Sequence, residues 1–111
     1  MNLIVTPAAL QDLKDIRKYI SDELASPKAA ENTIRKIIST YKKLIDTPLM
    51  GTTLSQSIRL DVPFHYLISG NYLIFYKITE NIEIHRIIYG RRDYIRILFG
   101  DNLTEEPDDD I

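Results

Sequence analysis

A chain of 111 residues with 14 Lys and Arg, 16 Asp and Glu and a formal net charge of −2 fits one domain that needs neither disulfide nor metal to bury a core. The absence of cysteine excludes a disulfide framework, a thiolate zinc site and a thiol nucleophile, and the apolar runs fall far short of the ~20 residues that span a bilayer. Charge is unevenly placed: residues 1–100 hold all the basic side chains and ten acids, a net +4, while residues 101–111 hold the other six acids.

Met1 to Val5 has neither the basic start nor the long apolar stretch of a signal peptide, so a cytoplasmic location is expected. Leu3, Ile4 and Val5 read as a short first strand, stopped by Thr6-Pro7. Thr6 is a good N-cap and Pro7 a good first helical residue, because proline's missing N–H costs nothing there. Leu10, Leu13, Ile16, Ile20 and Leu24 then recur at helical spacing, while Gln11, Asp12, Lys14, Asp15, Lys18 and Asp22 are expected to face away.

Ser26-Pro27 repeats the capping chemistry and opens a second helix with Ala30, Ile34, Ile37, Ile38, Tyr41, Leu44 and Ile45 as its apolar stripe. So short a link makes the pair an αα-hairpin. Pro48 and Gly51 end it, and Thr47 to Gln56 reads as a loop.

The period then changes to 2. Ile58 to Val62, Tyr66 to Ile68, Tyr72 to Ile78 and Ile82 to Tyr89 are rich in β-branched and aromatic residues and are separated by Pro63, Ser69-Gly70-Asn71 and Thr79-Glu80-Asn81. This pattern predicts an antiparallel meander, with one face against the helices and the other left free. Tyr94 to Phe99 suits either a last strand or a helical turn. The tail, Asp101 to Ile111, is acidic, lacks aromatics and is expected to be disordered and solvated.

The fold class is thus α+β in the order β-α-α-β-β-β, a helical hairpin packed on a small antiparallel sheet. The first strand, the Thr-Pro-opened helix, the Leu49-Met50-Gly51 loop, the Tyr72-Leu-Ile-Phe-Tyr76 strand and the ending Ile87-Ile-Tyr-Gly-Arg-Arg-Asp93 together resemble the RelE/ParE superfamily of type II toxin–antitoxin toxins. The likeness covers residues 1–100 as the toxin domain and is closer to the ParE branch. It implies growth arrest, a part in plasmid stabilisation, a cognate antitoxin as partner, and DNA gyrase or the ribosome with its mRNA as target; the further alternative is an inactive relative that only binds its antitoxin.

Cleavage of mRNA requires a group to draw the 2′-hydroxyl proton, cations on the phosphate and an acid for the leaving oxygen. The resemblance to RelE implies lysines on the strand before the Gly turn, arginines after that turn and at the end of the last strand, and a C-terminal tyrosine. Here Pro63 to Leu67 holds no lysine and offers only His65; Tyr72 stands where an arginine would come after Ser69-Gly70-Asn71. Arg92 matches the terminal arginine, and Tyr94 lies near the expected tyrosine. The catalytic candidates for an RNase are therefore Arg92, His65 and Tyr94. For a gyrase inhibitor, the candidate target-binding residues are Arg91, Arg92, Tyr89 and Arg96.

Simpler roles compete with these. Arg91 and Arg92 can pair with Asp93, a weak surface contact, and His65 and His85 suit packed or solvent-facing strand positions. Tyr66, Tyr72, Tyr76, Tyr89 and Tyr94 suit base stacking beside arginines and suit sheet packing equally well. No Gly-rich phosphate loop, His-x-x-x-His or metal-spaced carboxylate cluster occurs, so no nucleotide or metal cofactor is expected.

Overall fold

The computed structural model describes residues 2–55, 63–90, 92 and 94–100. The expected strand over Ile58 to Val62, Arg91, Asp93 and the tail lie outside the described residues. Strand β1 (Leu3–Val5) leads into helix α1 (Pro7–Lys18), which widens into a π-helical turn at Tyr19–Glu23; α2 (Pro27–Lys42) ends in a 3-10 turn at Lys43–Ile45. The strands β2 (Thr52–Thr53), β3 (His65–Ser69), β4 (Tyr72–Ile78) and β5 (Ile82–Tyr89) come next, and α3 (Tyr94–Phe99) is last.

Both helix starts are capped as the sequence indicates. The Thr6 hydroxyl accepts from the Ala9 amide at 3.2 Å and the Ser26 hydroxyl from the Ala29 amide at 3.3 Å, each with proline at the first turn. Ala25, between the π turn and this second cap, has φ +51°, a left-handed conformation that glycine usually takes at a helix end.

The five strands form one sheet in the order β1-β5-β4-β3-β2. The meander β2 to β5 is antiparallel, and β1 adds a parallel edge against β5, pairing Leu3 with Ile82 and Val5 with Ile84. The sheet is therefore mixed. The stretch expected as a loop contributes β2, where Thr52 pairs with Tyr66 and Thr53 with His65. Gly51 is required just before it, because a Cβ there would strike the Tyr76 hydroxyl and lie 2.6 Å from the Tyr66 carbonyl oxygen. That hydroxyl donates to the Pro48 carbonyl and accepts from the Gly51 amide, both at 3.1 Å, and so fastens the loop to the core.

The helices cover one sheet face. Ala9, Leu13, Ile34, Ile37, Tyr41 and Leu44 pack there on Leu67, Ile74, Tyr76, Ile82, Ile84 and Ile87. Ile84 pairs with Tyr76 while Arg86 pairs with Phe75, leaving His85 as the extra residue of a bulge. Inserting one residue shifts the alternation by one, which is why Ile82 and Ile84, and then Ile87, all face the helices. The other face is not left free. Leu54, Phe64, Phe75 and Ile88 form a second small core there, beneath Tyr94, Ile97, Leu98 and Phe99 of α3. Tyr94 to Phe99 is thus a helix, stabilised by burying its apolar side against the sheet.

Candidate partner-binding groove

Two features of α1 depart from the amphipathic reading. Asp12 does not face away: its carboxylate accepts two hydrogen bonds from the Arg86 guanidinium, at 2.7 and 2.8 Å, and a third from the Ile87 amide at 2.8 Å. Its side chain is 11% exposed. The Asp12 hydrogen bonds and charge raise the Arg86 pKa beyond its ordinary value, against the opposing effect of burial. Leu10 and Leu24, expected on the buried stripe, are exposed instead, because the burying face runs through Ala9, Leu13 and Ile20 and the π turn rotates the residues beyond it.

These departures shape a groove of about 690 Å³ at one end of the sheet. One wall is α1 and the π turn, with Asp12, Asp15, Ile16, Tyr19, Ile20 and then Leu24; Ala29 and Thr33 of α2 close the far side. The sheet contributes Ile87, Tyr89, Tyr72 and Asn71, and Arg92 stands at the rim. A smaller hollow of about 170 Å³ shares Thr33, Asn71 and Tyr72 and continues to Lys36 and Gly70.

Backbone contacts hold the sheet end in place. The Gly90 amide donates to the Asn71 carbonyl at 2.8 Å and the Arg92 amide to the Tyr89 carbonyl at 2.9 Å, turning the chain over the hairpin at the point where Arg92 meets the groove. Gly70 has φ +61°, which the two-residue hairpin turn between β3 and β4 demands of its first central residue. The Tyr72 and Tyr89 rings meet edge to face at 5.8 Å. Burial, and then the neighbouring Tyr89 and Tyr19 hydroxyls, push the Tyr72 pKa up, so this hydroxyl stays a neutral donor. The ion pairs among the described residues join Arg17 to Glu31 and Arg86 to Asp12, and His85 lies 3.7 Å from Glu83, a pair that is ionic only when the imidazole is protonated. Arg92 is exposed and has no part in them.

Tyr89 and Arg92, both candidates from the sequence, therefore share one groove. Arg91 is outside the described residues, and Arg96, Tyr94 and His65 lie elsewhere. Arg96 is exposed on α3, which packs on the opposite face, and Tyr94 there lies 5.4 Å from the Phe75 ring. His65 begins β3, stacked at 5.3 Å on Tyr76, with its Nδ1 buried and without a hydrogen-bond partner among the described residues. Ser69, at the other end of β3, pairs with Tyr72; four residues of strand put His65 about 13 Å from that end. Arg92, His65 and Tyr94 thus occupy the groove rim, the far end of a strand and the opposite face.

Sequence reasoning missed Tyr19, Leu24 and Asp12 as groove residues. Tyr19 carried a signal, as a large aromatic outside the apolar stripe of its helix. The bulge carried one too: Ile82-Glu-Ile-His-Arg-Ile-Ile88 breaks strict alternation once. Among the described residues no group of His, Asp and Glu is placed to hold a metal ion, and no helix is long and apolar enough to cross a membrane.

A helical hairpin thus covers one face of a small mixed sheet, and an arginine stands past the last strand. Among solved structures, a chain from the chromosomal ParDE toxin–antitoxin system of P. aeruginosa matches with a TM-score of 0.67 at 22% identity, over 80% of this chain and 95% of that one. A comparison with curated proteins gives no match. The model of the family described as the ParE toxin of type II toxin-antitoxin system, parDE, matches residues 3–94, and the chain belongs to that family.

Proposed function

We propose that this chain arrests growth by binding DNA gyrase, with Tyr89 and Arg92 on the contact surface, and that a cognate antitoxin holds it in check. The observation that carries this reading is the dispersal of the nuclease candidates. General acid–base catalysis needs its groups within hydrogen-bond reach of one substrate position, whereas His65 and Tyr94 are packed away from Arg92 on another strand end and another face. An exposed cation that is unpaired among the described residues, beside two tyrosines, suits protein recognition, in which arginine and tyrosine supply much of the binding energy.

The test is a dual pulse-label after tightly controlled induction in bacteria, tracking thymidine and methionine incorporation in the first minutes for wild type and Arg92→Ala. Thymidine incorporation falls first on this account, and Arg92→Ala delays the fall. An earlier loss of methionine incorporation would instead favour ribosome-dependent mRNA cleavage and reject the gyrase reading.

A further inference from the structure

The short helix α3 lies on the sheet face opposite the groove, yet it begins two residues after Arg92. Resting on the reading of Arg92 as a target contact, we infer that α3 sets Arg92 at the groove rim, with Tyr94 as the positioning residue. Docking on one face of the sheet then fixes the arginine presented at the other.

Arg92 is tied on both sides. Before it, the Gly90 amide donates to the Asn71 carbonyl at 2.8 Å, and a Cβ on Gly90 would lie 3.2 Å from that carbonyl oxygen and 3.8 Å from Leu73 Cγ, so the chain leaves β5 in close contact with the β3–β4 hairpin. The Arg92 amide then donates to the Tyr89 carbonyl at 2.9 Å. Tyr89, Gly90 and Arg92 are all exposed, and a turn held by single hydrogen bonds among exposed residues opens readily. These ties alone give Arg92 a direction but little rigidity.

After Arg92 the anchor is a packed one. The Tyr94 ring lies 5.4 Å from the ring of Phe75, which is fully buried in β4 and paired on either side with Tyr66 and Arg86. At the far end of α3, Phe99 meets Phe64 edge to face at 5.7 Å. Ile97 and Leu98 complete the contact with Leu54, Phe64, Phe75 and Ile88.

A helix of six residues does not persist without such contacts, so α3 exists as a docked element, and undocking it frees Arg92 on that side. No residue of α3 is fully buried, and the cluster it covers is separate from the core beneath α1 and α2. The placement of Arg92 therefore depends on contacts that the main core does not need. Tyr94 contributes its ring, which separates this role from that of a proton donor.

The test uses purified wild type, Tyr94→Phe, Tyr94→Ala, Arg92→Ala and the double variant Tyr94→Ala/Arg92→Ala, with two readouts. Amide hydrogen exchange followed by NMR should be at least about tenfold faster at Arg92 in Tyr94→Ala, with the amides of α1 and α2 unchanged and Tyr94→Phe matching wild type. In supercoiling by DNA gyrase, Tyr94→Ala should raise the amount of protein needed for half-inhibition by about tenfold, and Tyr94→Phe should restore it. The double variant should need no more protein than Arg92→Ala alone, because Tyr94 acts through Arg92. Unchanged exchange at Arg92 in Tyr94→Ala overturns the positioning role, as does a double variant whose penalty is the product of the two single ones. Loss of inhibition in Tyr94→Phe also overturns it, by showing that the hydroxyl is required. If Tyr94→Ala does not fold, Phe99→Ala takes its place in both readouts. A wild type without effect on gyrase overturns the target reading alone, since the exchange readout makes no use of gyrase.

Discussion

The Asp12 clasp gives the most quantitative prediction. Asp12→Ala removes the acceptor of three hydrogen bonds at 2.7 to 2.8 Å and leaves the Arg86 guanidinium, whose side chain is 28% exposed, without its counter-charge. Breaking a fully buried pair costs about 3–5 kcal/mol, and a hydrogen bond to a charged acceptor contributes about 1.5–3 kcal/mol. Water still reaches part of Arg86, which lowers the first figure, so a net loss of about 2–4 kcal/mol is expected. For a domain of this size that corresponds to a Tm lower by about 10–20 °C. Urea unfolding monitored by circular dichroism should show the midpoint fall with an unchanged m-value. A double-mutant cycle with Arg86→Met should give a coupling energy of about 1 kcal/mol or more. A loss under about 0.5 kcal/mol, in the range of an ordinary surface change, would refute the claim that this pair ties α1 to β5.

Other contacts give three more expected outcomes. Tyr76→Phe removes the hydroxyl that joins Pro48 and Gly51 and should destabilise the domain by about 1–3 kcal/mol in the same unfolding assay, with faster amide exchange at Gly51. Ala25→Gly relieves the φ of +51° and should stabilise by about 0.5–1 kcal/mol in thermal unfolding, since left-handed strain in alanine outweighs the added chain entropy of glycine. His85 has its pKa lowered by burial and then by Lys77, against the opposite pull of Glu83. The unfolded chain therefore binds the proton more readily, stability should fall as pH drops below the ordinary value of 6.5, and His85→Gln should flatten that slope.

The helical hairpin was legible because its signals are local: Thr6-Pro7 and Ser26-Pro27 both cap as read, and Ala30, Ile34, Ile37, Tyr41 and Leu44 are all buried. The order of the long strands was legible from turn residues and alternation. What local pattern does not carry is pairing between distant segments. The parallel edge β1 against β5 and the burial of Asp12 depend on residues some 70 or more positions apart meeting, as Asp12 does with Arg86, and the two-residue β2 exists only through its pairing with β3. Leu24 was misplaced because a stripe at 3.6 residues per turn assumes a uniform helix, and the π turn at Tyr19–Glu23 is not one, while Leu10 was misplaced because the buried face of α1 runs through Ala9 and Leu13. Tyr89 and Arg92 were named from the family ending, and both line the groove; the wall facing them, Tyr19 and Leu24, comes from another element.

The most direct test of the central claim is supercoiling of relaxed plasmid by purified DNA gyrase in the presence of this chain and of Arg92→Ala. Wild type should inhibit supercoiling at stoichiometric amounts and Arg92→Ala should require roughly tenfold more protein, the penalty of losing one well-placed arginine contact. Undiminished supercoiling with excess folded wild type would contradict the account and remove gyrase as the target.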